Sequence, residues 1–580
     1  MASRPRRAAA PDFKQLLDRH AEPGSGDDVV PDSGSETEDK IELDPEEDSV
    51  SDSDEEVIQS ERMNQSSDQC YFGRNKCEWR KQAPENRGRR ARENVLRQRE
   101  GATNTAGNVN VIVDSFTLFF TEEMLDLILR CTNEYADHYL ENGGWMTDRW
   151  SPIDKIELRA FMSCLIFAGV SKSKNESLEQ MWSSHFGRPF LRAVMSFQRF
   201  TMIMKFLRFD NKQDRQQRKG RDKMTHVREL WELFIQRCRT CYNPSDNCTI
   251  DEQLVGFRGR CPFRVYMPQK PDKYGIKIWW ICDSKNGYAY NGQIYLGREG
   301  NLPEVGLAHR VVEDLCRPLE YSGRNLTMDN FFTSIPLARN LLTKGLTLLG
   351  TLKANKPEIP PEFQKNRQRE VHSSLHGFNN KMTLCSYVPK KGRSVILLST
   401  MHNEVRISER DRKPNIILDY NATKGAVDTL DQCVHAYSSS RGTNRWPNKI
   451  LFNILDIAAF NGAIIFFQNH PDWKSQKLSK RRLYLLELSK ELAYEHMDRR
   501  AQMMNLPATL RGLLNDQGFT NCQISAHVEA AASDPERTRG RCHLCDTRTL
   551  VRVRCSQCMM FTCRNHSSKV IRCHKCLEQQ

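Results

Sequence analysis

Four aspartates and a run of cysteines carry the chemistry legible in this 580-residue chain. Asp251 closes the alternating stretch Cys248, Thr249, Ile250, and Asp329 follows Leu326, Thr327 and Met328. Asp428 and Asp431 stand one helical turn apart and so share a helix face. Carboxylates that converge from neighbouring strands and an adjoining helix can hold two Mg²⁺ ions roughly 4 Å apart. Such a pair activates an attacking oxygen and stabilises a leaving one, which is phosphoryl-transfer chemistry on DNA. A chain with 73 acids places several near strand ends by chance, so spacing alone leaves ordinary carboxylates open. The apolar and small neighbours favour the metal reading, because a buried unpaired charge is costly unless something compensates it.

The C-terminus reads Cys542-x2-Cys545, Cys555-x2-Cys558, Cys563-x2-His566, Cys573-x2-Cys576. Four pairs of soft ligands in so short a segment point to two tetrahedral Zn²⁺ ions, since such a segment cannot build a core unaided. Pair order suggests a cross-brace, with the first and third pairs on one zinc and the second and fourth on the other. Modules of this kind bind DNA, histone tails or ubiquitin-conjugating enzymes, and spacing leaves the partner open. Arg537, Arg539, Arg541, Arg548, Arg552, Arg554, Arg564 and Arg572 favour DNA.

The elements that must position these groups follow from periodicity. Met124, Leu125, Ile128, Cys131, Tyr135 and Tyr139 recur at helical steps, Ser151-Pro152 announces a second helix over 156–170, and a third covers 227–238. Cys238 and Cys241 lack a partner pair and read as core or helix-end thiols. At Cys248 the period changes to two. Strands are expected over 249–257, 274–282, 288–296 and 325–328, then a helix over 335–342 and a strand over 346–352. Two more strands, 382–388 and 395–400, lie in a basic stretch that looks inserted, before helices over 427–433 and 447–467. Antiparallel strands followed by a strand, a helix and a strand make a mixed α/β sheet.

A chain this long exceeds one core and should form several domains. The formal net charge is +13, yet 27–61 holds sixteen acids against one lysine, so the rest carries +28. That surplus favours a polyanion by counterion release. Residues up to about Arg62 combine acids with serine and should stay disordered. The stretch 71–100 is rich in arginine around the single Trp79 and reads as a flexible basic arm. Membrane insertion is not expected, because the most apolar stretch, 450–467, contains Asn453, Asp456 and Asn461. The first ten residues have arginines but no apolar run, unlike a secretory signal.

The longer motifs resemble one family. Thr249-Ile-Asp-Glu-Gln-Leu-Val-Gly-Phe-Arg-Gly-Arg-Cys-Pro-Phe-Arg264, Lys273-Tyr-Gly-Ile-Lys277, Asp329-Asn-Phe-Phe-Thr-Ser-Ile-Pro336, Thr423-Lys-Gly-Ala-Val-Asp-Thr-Leu-Asp-Gln432 and Thr443-Asn-Arg-Trp-Pro447 are similar to the piggyBac transposases, over roughly Trp79 to the C-terminus. The resemblance implies an α+β multidomain protein, with a ribonuclease H-like core inserted in a helical DNA-binding domain and a DDD or DDE-type site. Asp251, Asp329 and Asp428 match the family's metal-binding aspartates, and Asp431 a fourth required acid. Arg258, Arg260, Arg264, Lys273, Lys277, Arg445 and Trp446 are expected on the DNA path, although Trp446 reads equally as a core residue at a helix start.

The expected divisions are a disordered acidic then basic region (1–107), a helical DNA-binding and dimerisation domain in two parts (108–246 and 442–520), and a catalytic core in two parts (247–353 and 417–441). An insertion domain (354–416), a linker (521–539) and a two-zinc module (540–580) complete the chain. The implied function is cut-and-paste transposition with Mg²⁺: nicking and hairpinning of transposon ends and insertion at TTAA by a nuclear homodimer on double-stranded DNA. The alternatives are a domesticated DNA- or chromatin-binding protein without strand transfer and a ubiquitin-transfer protein built on the zinc module. The last leaves the carboxylates unexplained.

Overall fold

The structure is a computed structural model. It describes residues 69–83, 95–96, 98–142, 150–211, 215, 222–297, 304–410, 412–503 and 506–519, with 539–542, 544–545, 550–555 and 561–567 of the C-terminal segment. The acidic stretch 27–61 lies outside the described residues, as do Cys558, Cys573 and Cys576.

The described residues open with β1 (Cys70–Phe72), β2 (Glu78–Arg80) and β3 (Gly101–Ala102). Helices follow: α1 (Ile112–Thr117), α2 (Glu122–Glu141), α3 (Lys155–Val170), α4 (Leu178–Trp182), α5 (Pro189–Val194), α6 (Phe197–Phe206) and α7 (Arg228–Thr240). Caps set several of these starts. Thr121 accepts from the Met124 N–H, and Asp154 accepts from the Glu157 N–H at 2.8 Å. The second cap corrects the expectation for Ser151-Pro152, because the helix waits for the Asp154 carboxylate, which Arg499 also binds.

Next come β4 (Tyr242–Asn243), β5 (Asn247–Gly256), β6 (Arg264–Tyr266), β7 (Tyr274–Asp283), β8 (Ala289–Ile294), α8 (Leu307–Cys316), β9 (Asn325–Met328), α9 (Ile335–Thr343) and β10 (Thr347–Thr351). Three antiparallel strands follow as β11 (Ser374–Asn379), β12 (Met382–Lys390) and β13 (Arg393–Ser399). The remaining helices are α10 (Asn415–Thr423), α11 (Ala426–Ala436), α12 (Trp446–Asn469), α13 (Lys480–Ala501) and α14 (Ala508–Asp516), with the short β14 (Gly540–Arg541) and β15 (Leu550–Val551) beyond.

One mixed sheet organises the described residues, in the order β1-β2-β11-β12-β13-β10-β9-β5-β7-β6, with β8 also on β7. β5 pairs antiparallel with β7 and parallel with β9, and β9 pairs parallel with β10 across the crossover helix α9. This antiparallel-then-parallel order is the ribonuclease H-like arrangement. Nine of the ten residues of β7 are buried, so its run Ile-Lys-Ile-Trp-Trp-Ile-Cys shows no clean alternation.

Within the expected insertion domain (354–416), β13 pairs antiparallel with β10 and so continues the core sheet. One expectation changes here: 71–80 is not a free basic arm. Trp79 is fully buried, its indole N–H donates to the Glu358 carbonyl at 2.9 Å, and β2 meets β11 at the sheet's edge. Burial of one large aromatic outweighs the charged neighbours, whose heads remain in water.

The late helices close onto the early ones. The Ser163 hydroxyl of α3 donates to the Ser489 carbonyl of α13 at 2.5 Å, and Ser115 of α1 meets Tyr484 at 2.7 Å. A Cβ on Gly169 would sit 2.4 Å from the Tyr437 carbonyl oxygen, so α3 and the chain after α11 touch backbone to backbone. Helix α12 is long and apolar enough to cross a membrane by length and composition, but 83% of its most apolar window is buried inside the protein. Its polar residues are tied inward. Asn461 binds both the N–H and the carbonyl of Ala289, and Asp456 accepts the Ser439 N–H at 2.9 Å. Cys238 and Cys241 are fully buried thiols, as expected.

Candidate active site and metal centre

Strand register brings the first two aspartates together. Ile250 on β5 pairs with Met328 on β9 in a parallel ladder, so the next residues, Asp251 and Asp329, emerge side by side where β9 ends. Thr249 and Thr327 lie two residues back on the same faces. Thr249 donates to the Thr423 carbonyl, and Thr327 meets the Thr423 hydroxyl at 2.8 Å. The face carrying Asp251 and Asp329 therefore looks toward the junction of α10 and α11.

Helix α11 supplies the other two acids. Asp431 accepts the Gln253 amide at 3.0 Å, which fixes the helix against β5 two residues beyond Asp251. Asp428 lies in the helix's first turn and is exposed. The oxygens of Asp251, Asp329 and Asp428 do not all lie within 4.8 Å of one another; among the described residues only Cys542, Cys545, Cys563 and His566 form so tight a group.

Electrostatics mark the strand pair as short of positive charge. Burial, with the charges of Glu252 and Asp329 adding, pushes the Asp251 carboxyl up to about 8. Burial and Glu252 also raise Asp329. Three neighbouring carboxyl groups face Lys277 and Lys270, whose ammonium groups stand 4.0 and 3.7 Å from Glu252. Burial depresses Lys277 itself. A divalent cation would relieve this imbalance, and hard carboxylate oxygens are the donors Mg²⁺ prefers. The residues fit such an ion.

Sequence reasoning missed Glu252, Gln253, Lys270, Asp272 and His435. Strand alternation assigns Glu252 to the face opposite Asp251, so only the structure reveals that it weighs on both aspartates. His435 had a legible signal: it sits four residues after Asp431, one helical turn on. Its ring lies 3.6 Å from Asp431 and 3.7 Å from Asp272, which together raise it to about 10, Asp272 contributing most.

The residues expected on a DNA path divide into two groups. Arg258, Arg260 and Lys273 are exposed, and Arg264 is half-buried, donating to the Arg258 carbonyl at 2.7 Å. Lys277 is buried beside the carboxylates. Trp446 is buried too, edge-on to His226 and Phe263, and Arg445 turns inward to donate to the Leu207 carbonyl at 2.7 Å.

In the C-terminal segment the first and third ligand pairs meet. The Cys545 and Cys563 sulfurs lie 3.3 Å apart, and His566 Nδ1 lies 3.3 Å from each and 3.8 Å from the Cys542 sulfur. Zinc–sulfur bonds of about 2.3 Å in a tetrahedron separate ligand atoms by roughly 3.5 to 3.8 Å. The group suits one Zn²⁺. Of the second expected set only Cys555 is described.

Comparison with known proteins follows the same lines. Residues 113–463 match the family described as Transposase IS4. Two human proteins, PiggyBac transposable element-derived protein 3 and the chimeric ERCC6-PGBD3 protein, are each 24% identical over 359 residues. The matched stretch is 58% of this chain, and it spans 58% of the first relative's length and 32% of the second's. A cryo-EM structure of the piggyBac transposase synaptic complex with hairpin DNA superposes with a TM-score of 0.71 at 36% identity, covering 81% of this chain and 98% of that one. The parallel strands that set Asp251 beside Asp329 and the helix that adds Asp428 and Asp431 lie within the matched region, and the chain belongs to the piggyBac-type transposase family.

Proposed function

We propose that this protein is a cut-and-paste DNA transposase whose strand chemistry runs at Asp251, Asp329 and Asp428. The observation that carries the reading is the adjacency of Asp251 and Asp329 on parallel strands, under a helix keyed to the same strand through Gln253 and Asp431. A pair of Mg²⁺ ions, when bound by the three aspartates, would activate the attacking oxygen and stabilise the leaving one. Asp431 holds α11 in place through Gln253, and His435 on the same helix reaches Asp272. Lys277 and Lys270 offset part of the charge at Glu252. Exposed Arg258, Arg260 and Lys273 attract the DNA backbone near the site.

The reaction begins with water nicking the element's 3′ ends. Each freed 3′-hydroxyl attacks the opposite strand to form a hairpin, which is reopened and joined at TTAA. Paired ends call for paired active sites, so the working unit is a homodimer in the nucleus. The Cys542–Cys545–Cys563–His566 zinc module, with its arginines, grips the terminal repeats. Two of the three basic residues that open α13 lie over aromatic rings. Lys480 sits 4.3 Å over the Phe467 ring, and the Arg481 guanidinium 5.0 Å over the Tyr437 ring.

A second reading is a domesticated DNA binder without strand transfer, favoured by the name of the human relative, a transposable element-derived protein. An excision and integration assay in cells separates the two, using a donor flanked by the chain's own genomic terminal repeats. The transposase reading expects wild type to excise and reinsert at TTAA, while Asp251→Ala, Asp329→Ala and Asp428→Ala are inactive but still bind DNA. Binding by wild type without any cutting in Mg²⁺ would overturn it in favour of the binder.

A further inference from the structure

A cleft of about 220 Å³ beside α12 holds more positive charge than its walls neutralise. Arg208, Arg215 and Arg445 line it together with Asp210, Asn444 and Trp446. The one carboxylate among these described residues is already engaged. Asp210 accepts two bonds from Arg215, at 2.7 and 2.8 Å, in the parallel fork that guanidinium and carboxylate favour. Among the described residues neither Arg208 nor Arg445 forms an ion pair of its own, although the charge of Asp210 reaches both.

Both are held rigidly. Arg208 donates to the carbonyls of Leu207 at 2.8 Å and Lys205 at 3.1 Å, and its guanidinium lies 3.4 Å over the Tyr135 ring. Arg445 donates to the same Leu207 carbonyl at 2.7 Å. Two cations thus share the carbonyl end of α6, where the helix dipole is negative. Burial lowers Arg445 to about 9 and Arg208 to about 10, and in Arg445 the neighbouring Arg208 charge adds to the effect. Fixed, half-buried and mutually repelling guanidiniums are costly to hold unless an anion completes them.

We propose that Arg208, Arg215 and Arg445 form a binding subsite for a single phosphodiester of the DNA backbone, outside the carboxylate centre. A phosphodiester carries one negative charge and two free oxygens, which planar guanidinium forks bind in pairs. Free phosphate offers the same chemistry. DNA is the source argued for because the cleft adjoins the catalytic side. Asn444 lines both this cleft and the cavity that holds Gln253 and His435. The Asn444 carbonyl also closes on Gly259, where an added Cβ would lie 3.1 Å away, and Gly259 stands between the exposed Arg258 and Arg260. Trp446 forms a buried apolar wall, which explains its place beside a DNA contact without stacking on a base.

The DNA source rests on the transposase reading, whereas the anion chemistry does not. The test measures binding of the full chain to terminal-repeat DNA across a range of NaCl, for wild type, Arg208→Gln, Arg445→Gln and the charge-keeping Arg445→Lys. Circular dichroism melts accompany each. Losing a clamped phosphate should make the slope of log K against log[NaCl] shallower by about 0.9 in the Gln variants, and by less in Arg445→Lys.

A scan on DNA carrying one neutral methylphosphonate at a time, run on wild type, Arg445→Gln and the charge-keeping Arg445→Lys, gives a second readout should one variant fail to fold. It should find a position where the wild-type loss is not additive with that of the Arg445 substitution. Slopes unchanged in folded Gln variants, or full additivity at every position, would overturn the subsite. Inorganic phosphate that raises the wild-type melting temperature, with DNA slopes unchanged, would overturn DNA as the ligand. Cleavage by the same preparations, absent in Asp251→Ala, reports separately on the transposase reading, so either can fail without the other.

Discussion

Gln253 and Asp431 are joined by a 3.0 Å hydrogen bond that ties α11 to the strand carrying Asp251. The Gln253 carbonyl is engaged too, accepting from Trp280 at 3.1 Å and from Asn453 of α12 at 3.1 Å. One buried amide therefore links β5, β7, α11 and α12. Gln253→Leu would leave these donors and the carboxylate without their partner, at a cost of about 1 to 3 kcal/mol. If the amide sets the position of α11, single-turnover cleavage should also fall on the order of 100-fold, as small misplacements of reacting groups do. Urea melts and cleavage of prebound DNA check both. Normal cleavage in a destabilised variant would show that Gln253 serves packing alone.

His435 predicts a pH dependence of stability. Its partners Asp272 and Asp431 raise it to about 10, above the ordinary value near 6.5. A group raised on folding stabilises fully below its unfolded pKa, and that contribution is lost as pH climbs through the folded value. The contribution of His435 should therefore decline between about pH 6.5 and 10. Lys449, which burial lowers to about 8, works in the opposite direction over the upper part of this window. Comparing wild type with His435→Gln cancels the Lys449 effect. The melting-temperature difference between them should shrink as pH rises from 7 to 10, and a constant difference would refute the clamp.

The aspartates were legible because strands announce themselves by composition, and Asp251 and Asp329 each end a short apolar run. Their adjacency was not legible, since it depends on the parallel register of Ile250 with Met328, made across the intervening strands β6 to β8 and helix α8. Glu252 stayed hidden for the opposite reason: alternation predicts that it faces away, yet its charge raises both aspartates. Short elements misled most. The three residues of β2 are too few for a period to show, and the arginines around Trp79 dominated the reading. Lys277 stands among the residues expected on a DNA path, and its burial in β7 with its ammonium 4.0 Å from Glu252 was hidden in the sequence.

Zinc sharing gives a test of ligand pairing. Cys542 and Cys563 come from different pairs but meet one His566, so they should serve the same ion. Cys542→Ser and Cys563→Ser should each lose one zinc per chain, and the double variant should lose no more than either. Sequential pairing predicts otherwise, with the two substitutions emptying different sites and the double variant emptying both. Metal content of purified, buffer-exchanged protein distinguishes these outcomes.

Trp79 provides the measure of how far the folded core extends toward the N-terminus. Its side chain is fully buried, bonds Glu358 at 2.9 Å and packs so closely on β11 that a Cβ on Gly377 would lie 2.9 Å from its own. Trp79→Ala removes that filling and strands the Glu358 carbonyl, and should cost about 3 to 5 kcal/mol. Deleting 1–83 should destabilise the protein comparably, whereas deleting 1–62 should leave its urea midpoint unchanged. A flexible arm predicts that both truncations are neutral. The β1–β2 hairpin predicts that only the shorter one is, because β11 loses its partner strand and exposes a new sheet edge when the hairpin goes.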